Sequence, residues 1–364
     1  MESGPRPAGS KERCPTWFYL ARCPPCVKGL RGVRTSAVLS DDERLRTTHQ
    51  PPPRILPRLV ASVWRQRSRS LRCPSEPRLD GFVALVTGAE GGLGLEIARG
   101  LVARGAEVVI ACRDMARGAA ALGALRSCLG SGPGSGAPIR LIHLDLSDLV
   151  SVGDSVGSLA ETLGHRTLDV IVSNPGPWPR IYARTVQGHE LAFGVGVLGP
   201  FLLLRLLRLR RILREARVVM ITGDHYVASD ACTPDFTYRG GWGARMADCR
   251  SKLGALWLAR ILGERYPDLT VYSVHPGLIQ PGSLQLGPGP GTVGAAVQHR
   301  LSIPADQGAQ TPLLCATQPG LAPGYYHNTL GRVLLAPTDP AADRRAAQML
   351  WDRCEGLCAP WLAG

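Results

Sequence analysis

The run Val83-Ala84-Leu85-Val86-Thr87, followed at once by Gly88-Ala89-Glu90-Gly91-Gly92-Leu93-Gly94, constrains this chain more than any other stretch. Apolar and β-branched residues in an unbroken row suit a strand buried on both faces, and hence a parallel sheet covered by helices. Leu95, Ile97, Ala98, Leu101 and Val102 then recur at helical spacing. Strand, glycine turn and helix in that order make the nucleotide-binding half of a doubly wound sheet. The glycines let the backbone turn tightly and approach a pyrophosphate, and the helix start offers unpaired N–H groups with a partial positive charge. Thr87, Gly88, Gly92, Leu93 and Gly94 are the candidate cofactor residues.

From residue 80 to 364 strands and helices alternate regularly, which predicts one α/β domain: a Rossmann-like doubly wound parallel sheet with helices on both faces. Further strands are expected at 107–111, 139–144, 169–172, 217–221 and 271–274, with long helices over about 190–207 and 244–265. The second strand ends at Cys112-Arg113-Asp114. An acidic residue there would accept from an adenosine ribose 2′-hydroxyl, whereas arginine would meet a 2′-phosphate. Cys112 and Arg113 therefore favour NADP(H). Glu90 argues the other way, because its carboxylate would repel a nearby phosphate. Asp114 reads as the N-cap of the next helix.

Thr87-Gly88, three residues, then Gly92-Leu93-Gly94 resembles the fingerprint of the short-chain dehydrogenase/reductase superfamily. Ser173-Asn174-Pro175-Gly176 is similar to that family's Asn-Asn-Ala-Gly motif, with Ser173 and Pro175 as departures. His275-Pro276-Gly277 is similar to the turn that closes over its nicotinamide. Two further stretches, 111–117 and 324–328 with Leu350-Trp351 after it, resemble the retinol dehydrogenase and WW-domain oxidoreductase branch. The resemblance runs from residue 80 to about 358 and includes no WW domain. It implies that Asn174, Pro276, Gly277 and Lys252 contact the cofactor, and that Asp145 contacts adenine; Asp145 could equally cap the helix starting near Ser147.

The same resemblance implies a catalytic tyrosine, a lysine four residues later, a serine after the fifth strand and an asparagine on the preceding long helix. Arg250-Ser251-Lys252-Leu253 fixes the register. Lys252 is retained, but Asp248 stands at the tyrosine position, Gly223 at the serine and Gly196 at the asparagine. A carboxylic acid ordinarily ionises near 4, against about 10 for a phenol, and aspartate is shorter than tyrosine by a ring. Thr222 could lend a hydroxyl one position early, and His225, Tyr226 or Tyr238 could act as a displaced acid/base.

Two function classes follow. The emptied catalytic set favours a pseudoenzyme that binds NADP(H) and serves a protein partner. The alternative is an active NADP-dependent oxidoreductase on a lipophilic alcohol or aldehyde, retinoid- or steroid-like. Loss of the cofactor as well, on the strength of Glu90, is a third. Charge bears on partners: of the net +13, nine units lie in residues 1–80. Residues 1–79 read as a basic, proline-rich, disordered extension. Within it, residues 54–71 mix apolar and basic side chains and could lie on an anionic membrane or serve in mitochondrial targeting. No motif supports nucleic-acid binding. Cys23-Pro24-Pro25-Cys26 lacks a second ligand pair, so no metal is expected. Eleven scattered cysteines suit reduced thiols and an intracellular, cytoplasmic setting. No window approaches the ~18 uninterrupted apolar residues of a membrane span. The resemblance also implies a homodimer through the two long helices.

Overall fold

Alternate residues along each central strand feed two separate cores. The computed structural model describes residues 34–37, 46–48, 63–66, 68–128, 138–176, 182–229, 231–237, 240–280 and 300–363. Its strands are β1 (Arg34–Ala37), β2 (Arg46–Thr48), β3 (Val83–Thr87), β4 (Glu107–Cys112), β5 (Ile139–His143), β6 (Leu168–Ser173), β7 (Leu213–Ile221), β8 (Thr270–His275), β9 (Gly324–His327) and β10 (Gly331–Leu334). On β3, Val83 and Leu85 enter one core while Ala84 and Val86 enter the other. The period-2 geometry of a strand then explains why the sequence there is apolar throughout.

The sheet runs β2-β1-β10-β9-β8-β7-β6-β3-β4-β5. From β5 to β9 every pairing is parallel, and beyond β9 the strands β10, β1 and β2 continue the sheet antiparallel. Chain order reverses across β3, which lies between β4 and β6. In open α/β sheets the ligand crevice lies outside the carboxyl ends of the strands at this point.

The helices are α1 (Gly92–Val102), α2 (Met115–Ser127), α3 (Leu149–Leu163), α4 (Leu191–Leu209), α5 (Gly240–Arg265), α6 (Gln310–Thr317) and α7 (Arg344–Leu362). Residues of α1, α2 and α6 fill one core, and those of α3, α4, α5 and α7 the other. Asp114 caps α2 as expected, accepting from Arg117 N at 3.0 Å. The next cap differs from expectation. Asp148 accepts from Val150 N, so α3 begins at Leu149, and Asp145 instead takes the Ser147 amide at 2.8 Å and its hydroxyl at 2.7 Å. β7 begins at Leu213, four residues before the expected start. A register shift against β6 and the left-handed Glu215 let Leu213 pair with Leu168 while Arg214 and Glu215 face outward, which hides the strand from a period-2 search.

α4 is the one helix among the described residues long and apolar enough to cross a membrane, and 78% of its apolar window is buried inside the domain. Its middle turn, Gly194–Leu198, is π-helical. α7 lies across α4 and α5. Trp351 meets Phe201 edge-on with centroids 5.0 Å apart, and Trp257 Nε1 donates to the Pro340 carbonyl just before α7. The chain's own carboxyl-terminal helix therefore covers part of the two helices expected to pair in a dimer. The packed body also extends upstream of residue 80. Leu71 N donates to Asn328 O, Cys73 N to Gln310 Oε1 and Leu79 N to Arg104 O. Cys23 and Cys26, residues 54–62 and 67 of the basic run 54–71, Tyr238 and the Pro-Gly repeats after Gln280 lie outside the described residues.

Candidate active site

The glycine turn is a cradle that only glycine fits. Gly88 and Gly92 have left-handed φ of 62° and 53°. A Cβ on Gly94 would overlap the Gly88 carbonyl oxygen and lie 2.9 Å from Asn174 Nδ2. Gly91 precedes α1 without a side-chain cap, so the first N–H groups of that helix are left for an anion. Asn174 braces this turn from β6: its N donates to Thr87 Oγ1 at 2.9 Å, and Nδ2 to Gly88 O at 3.2 Å. Thr87 is buried and Leu93 half-buried beside them. These residues fit a pyrophosphate.

At the carboxyl end of β4, Cys112 is fully buried and its thiol faces the Glu90 carboxylate. Burial first, and then Glu90, push the Cys112 thiol up to about 12, so it stays neutral. Glu90 Oε2 is buried without a hydrogen-bond partner. Arg113 is exposed, and the guanidinium of Arg117 comes within 3.4 Å of where a Gly91 Cβ would stand. Asp145, placed by resemblance near adenine, has its carboxylate turned to Ser147.

Beyond β7 the positions without their expected side chains are refilled. Gly223 has extended backbone at φ −159°, which any residue adopts. What occupies the space of a side chain there is His225, whose Nδ1 lies 2.7 Å from the Cβ position. His225 Nε2 is hydrogen-bonded to Asp248 Oδ2 on α5. The ring is 43% exposed and the carboxylate 3%, so a buried acid holds an accessible imidazole. Lys252 is one helical turn on, on the same face. Thr222 is buried and its hydroxyl donates to the Lys252 carbonyl at 3.0 Å, which ties β7 to α5 and commits its proton within the fold. Tyr226 is likewise committed, donating to Asp339 Oδ2 at 3.0 Å. Gly196 lies in the π turn of α4, with its Cβ position 3.0 Å from Ser251 Oγ.

Beside this pair, Asp224, His275 and His327 converge with ligand atoms within 4.8 Å of one another. The hydrogen bonds argue against a cation there. His327 Nδ1 accepts from Thr329 N at 3.1 Å, and His275 Nδ1 accepts from Asp224 N at 3.3 Å. Each ring therefore carries its proton on Nε2, the atom a metal would need bare. His327 donates that proton to Asp224 Oδ2 at 2.7 Å, and Tyr325 donates to Oδ1. Burial outweighs the attraction of Asp224 and, with His327, His225 and Lys252 nearby, lowers His275 to about 3. The unfolded chain thus binds a proton at His275 that the folded chain refuses, so stability falls as pH drops below about 6.5. In chemical denaturation at pH 6.5 and 4, the natural chain is expected to lose about 3 kcal/mol more than His275→Asn. Equal losses would show that His275 is accessible to protons in the fold.

The short chain dehydrogenase family model matches residues 82–222, from β3 through β7. Human retinol dehydrogenase 12 is 32% identical over 308 residues, covering 79% of this chain and 90% of that protein. The chain belongs to the short-chain dehydrogenase family. Within the family it falls in the retinol dehydrogenase branch, since human retinol dehydrogenase 14 is also 32% identical over 311 residues, 79% of this chain and 90% of that protein. A solved structure of an uncharacterized Mycobacterium paratuberculosis protein superposes with a TM-score of 0.59 at 26% identity, covering 80% of this chain and 98% of its own. A blue fluorescent protein from a metagenomic library, solved with NADPH, shares the fold at a TM-score of 0.54 and 21% identity, over 70% of this chain and 99% of its own.

Short-chain dehydrogenases bind NAD(P)(H), and the cradle of this member fits that group. The sequence located the cradle, the β4 end and the Asp248–Lys252 face. It named His225 as one loop candidate among several, without signalling that the ring reaches Asp248. His327 entered only as part of the 324–328 resemblance and Asp224 in no motif, and the 103 residues between them hide their contact.

Proposed function

We propose that this chain is an NADP(H)-dependent oxidoreductase acting on a lipophilic alcohol or carbonyl compound, with His225 and Asp248 in place of the family's serine and tyrosine. The observation that carries this reading is the His225–Asp248 hydrogen bond, formed over the unoccupied side-chain position of Gly223. Here two replacements complement each other, and the retinol dehydrogenase relatives support turnover rather than its loss.

When bound, the reduced nicotinamide supplies a hydride to the carbonyl carbon. His225 delivers the proton to the oxygen through Nδ1, and in the reverse direction takes the alcohol proton as hydride leaves. An imidazole exchanges protons near neutrality, a task for which phenol acidity must be raised by several units. Asp248 accepts the Nε2 proton, fixes the tautomer and balances the charge when the ring is protonated, as a buried carboxylate does for a catalytic histidine. Thr222 ties α5 to the end of β7 for this pair.

Neutral Cys112 and the guanidiniums of Arg113 and Arg117 support the 2′-phosphate, while Glu90 opposes it. One carboxylate facing one phosphate across several ångströms, with water screening the pair, amounts to about 1 kcal/mol. Glu90→Gln is therefore expected to tighten NADPH about fivefold and leave NADH nearly unchanged, read by fluorescence titration. Weakened NADH with unchanged NADPH would instead make Glu90 a ribose acceptor and overturn the NADP assignment.

The function is tested by following NADPH oxidation by the full chain over a panel of retinoid and steroid carbonyls. Turnover that depends on His225 supports the reading. Tight NADPH binding without turnover would leave the pseudoenzyme reading, which the bare Gly223 and Gly196 positions favour.

A further inference from the structure

The turn after β8 is built around a side chain from far upstream. Gln66 is 1% exposed, and its amide is used at both ends. Oε1 accepts from Leu278 N at 3.0 Å, while Nε2 donates to Leu301 O at 2.5 Å and to Leu278 O at 3.4 Å. The Gln66 carbonyl takes a further bond from Gln307 Nε2 at 3.0 Å. Beside it Asn328 lies 3.5 Å from Oε1, accepts from Leu71 N and donates its own N–H to His275 O. Gly277 stands directly above with a left-handed φ of 100°. A Cβ there would lie 2.5 Å from Asn328 Nδ2 and 2.8 Å from Gln66 Oε1.

The location gives this contact a consequence. The ribose-facing end of β4 lies on one side of the switch point, so the nicotinamide half of a dinucleotide extends to the other side, over the ends of β6, β7 and β8. Pro276-Gly277 stands at the end of β8, next to His275 and the His225–Asp248 pair. Gln66 clamps the chain leaving that turn, at Leu278, to the chain returning at Leu301, and Ile279 and Ile303 bridge just beyond. Among the described residues, no hydrogen bond joins Gln66 to the glycine cradle.

We propose that Gln66 is a positioning residue for the nicotinamide half of the cofactor site, so that the upstream segment is a working part of that site. This rests on the cofactor reading above. Without the amide, Leu278 N–H and Leu301 C=O lose buried partners and the turn is no longer held at one height over the ring. The adenosine half, held by α1 and β4, should not register the change.

Two ligands separate the halves: NADPH, and 2′,5′-ADP, which carries no nicotinamide. In the full chain, Gln66→Ala is expected to weaken NADPH about tenfold by calorimetry, the effect of one lost buried hydrogen bond, with 2′,5′-ADP changed less than twofold. Gln66→Asn, with the same groups on a shorter arm, should fall between. If Gln66→Ala fails to give a cooperative melt, Gln66→Asn decides with the same two ligands. Equal weakening of both ligands would make Gln66 a general support of the fold and overturn the proposal, as would no change in either. A natural chain that binds neither ligand would overturn the cofactor reading and this proposal together. One that binds both, with Gln66 variants that do the same, would overturn this proposal alone.

Discussion

His225→Ala lowers the rate of carbonyl reduction by about 10²–10⁴-fold, the usual contribution of one general acid, while NADPH affinity stays within twofold. The imidazole stands over Gly223 at the end of β7, whereas the cradle that fits the pyrophosphate belongs to β3 and α1 and the adenosine side to the end of β4. Removing the ring therefore takes away a proton without loosening the cradle. Asp248→Asn is expected to move in the same direction. The amide keeps the size of the carboxylate but can neither balance an imidazolium charge nor reliably hold the Nε2–H tautomer. Because the two residues act as one unit, the double variant should lose no more than the worse single one. Single-turnover measurements with saturating NADPH check this. An unchanged rate in His225→Ala would remove the pair from the chemistry.

The sequence made the fold legible because the fold depends on local pattern. Unbroken apolar strands, a glycine turn at the first of them and Asp114 at a helix start each act within a few residues. The places where it failed share one physical cause. β7 starts early because a bulge and two outward charges break its alternation. Asp145 looked like a ligand or a cap, and only in the folded chain does Asp148 take the cap of α3 while Asp145 turns to Ser147. Residues before 80 read as an extension, since composition records charge and proline but not that Gln66 finds two chain segments more than 200 residues away. A protein begun at Asp80 would lack that clamp. The site was half legible for the same reason. Substitution at Gly223, Gly196 and Asp248 could be read off position by position, and each alone looks like loss. That His225 reaches Asp248 is a statement about distance between β7 and α5, which no spacing along the chain encodes.

The role of this pair is most severely tested by putting the family's residues back. Gly223→Ser meets no backbone obstacle, since φ is extended, but its Cβ would sit 2.7 Å from His225 Nδ1. The ring has to leave, and the bond to Asp248 goes with it. Asp248→Tyr fails in the same way, because its phenol enters the volume the imidazole fills. Each single reversion is therefore expected to cost about 10²-fold or more in turnover, although each makes the chain more like its relatives. Gly223→Ser with Asp248→Tyr and His225→Ala clears the ring and presents serine, tyrosine and Lys252 together, so part of the rate should return. In a merely degraded family member the order is reversed. There Asp248→Tyr alone would raise turnover from a negligible level, and His225→Ala would make no difference. The sign of the Asp248→Tyr effect in the otherwise natural chain thus distinguishes a site that was rebuilt from one that was lost.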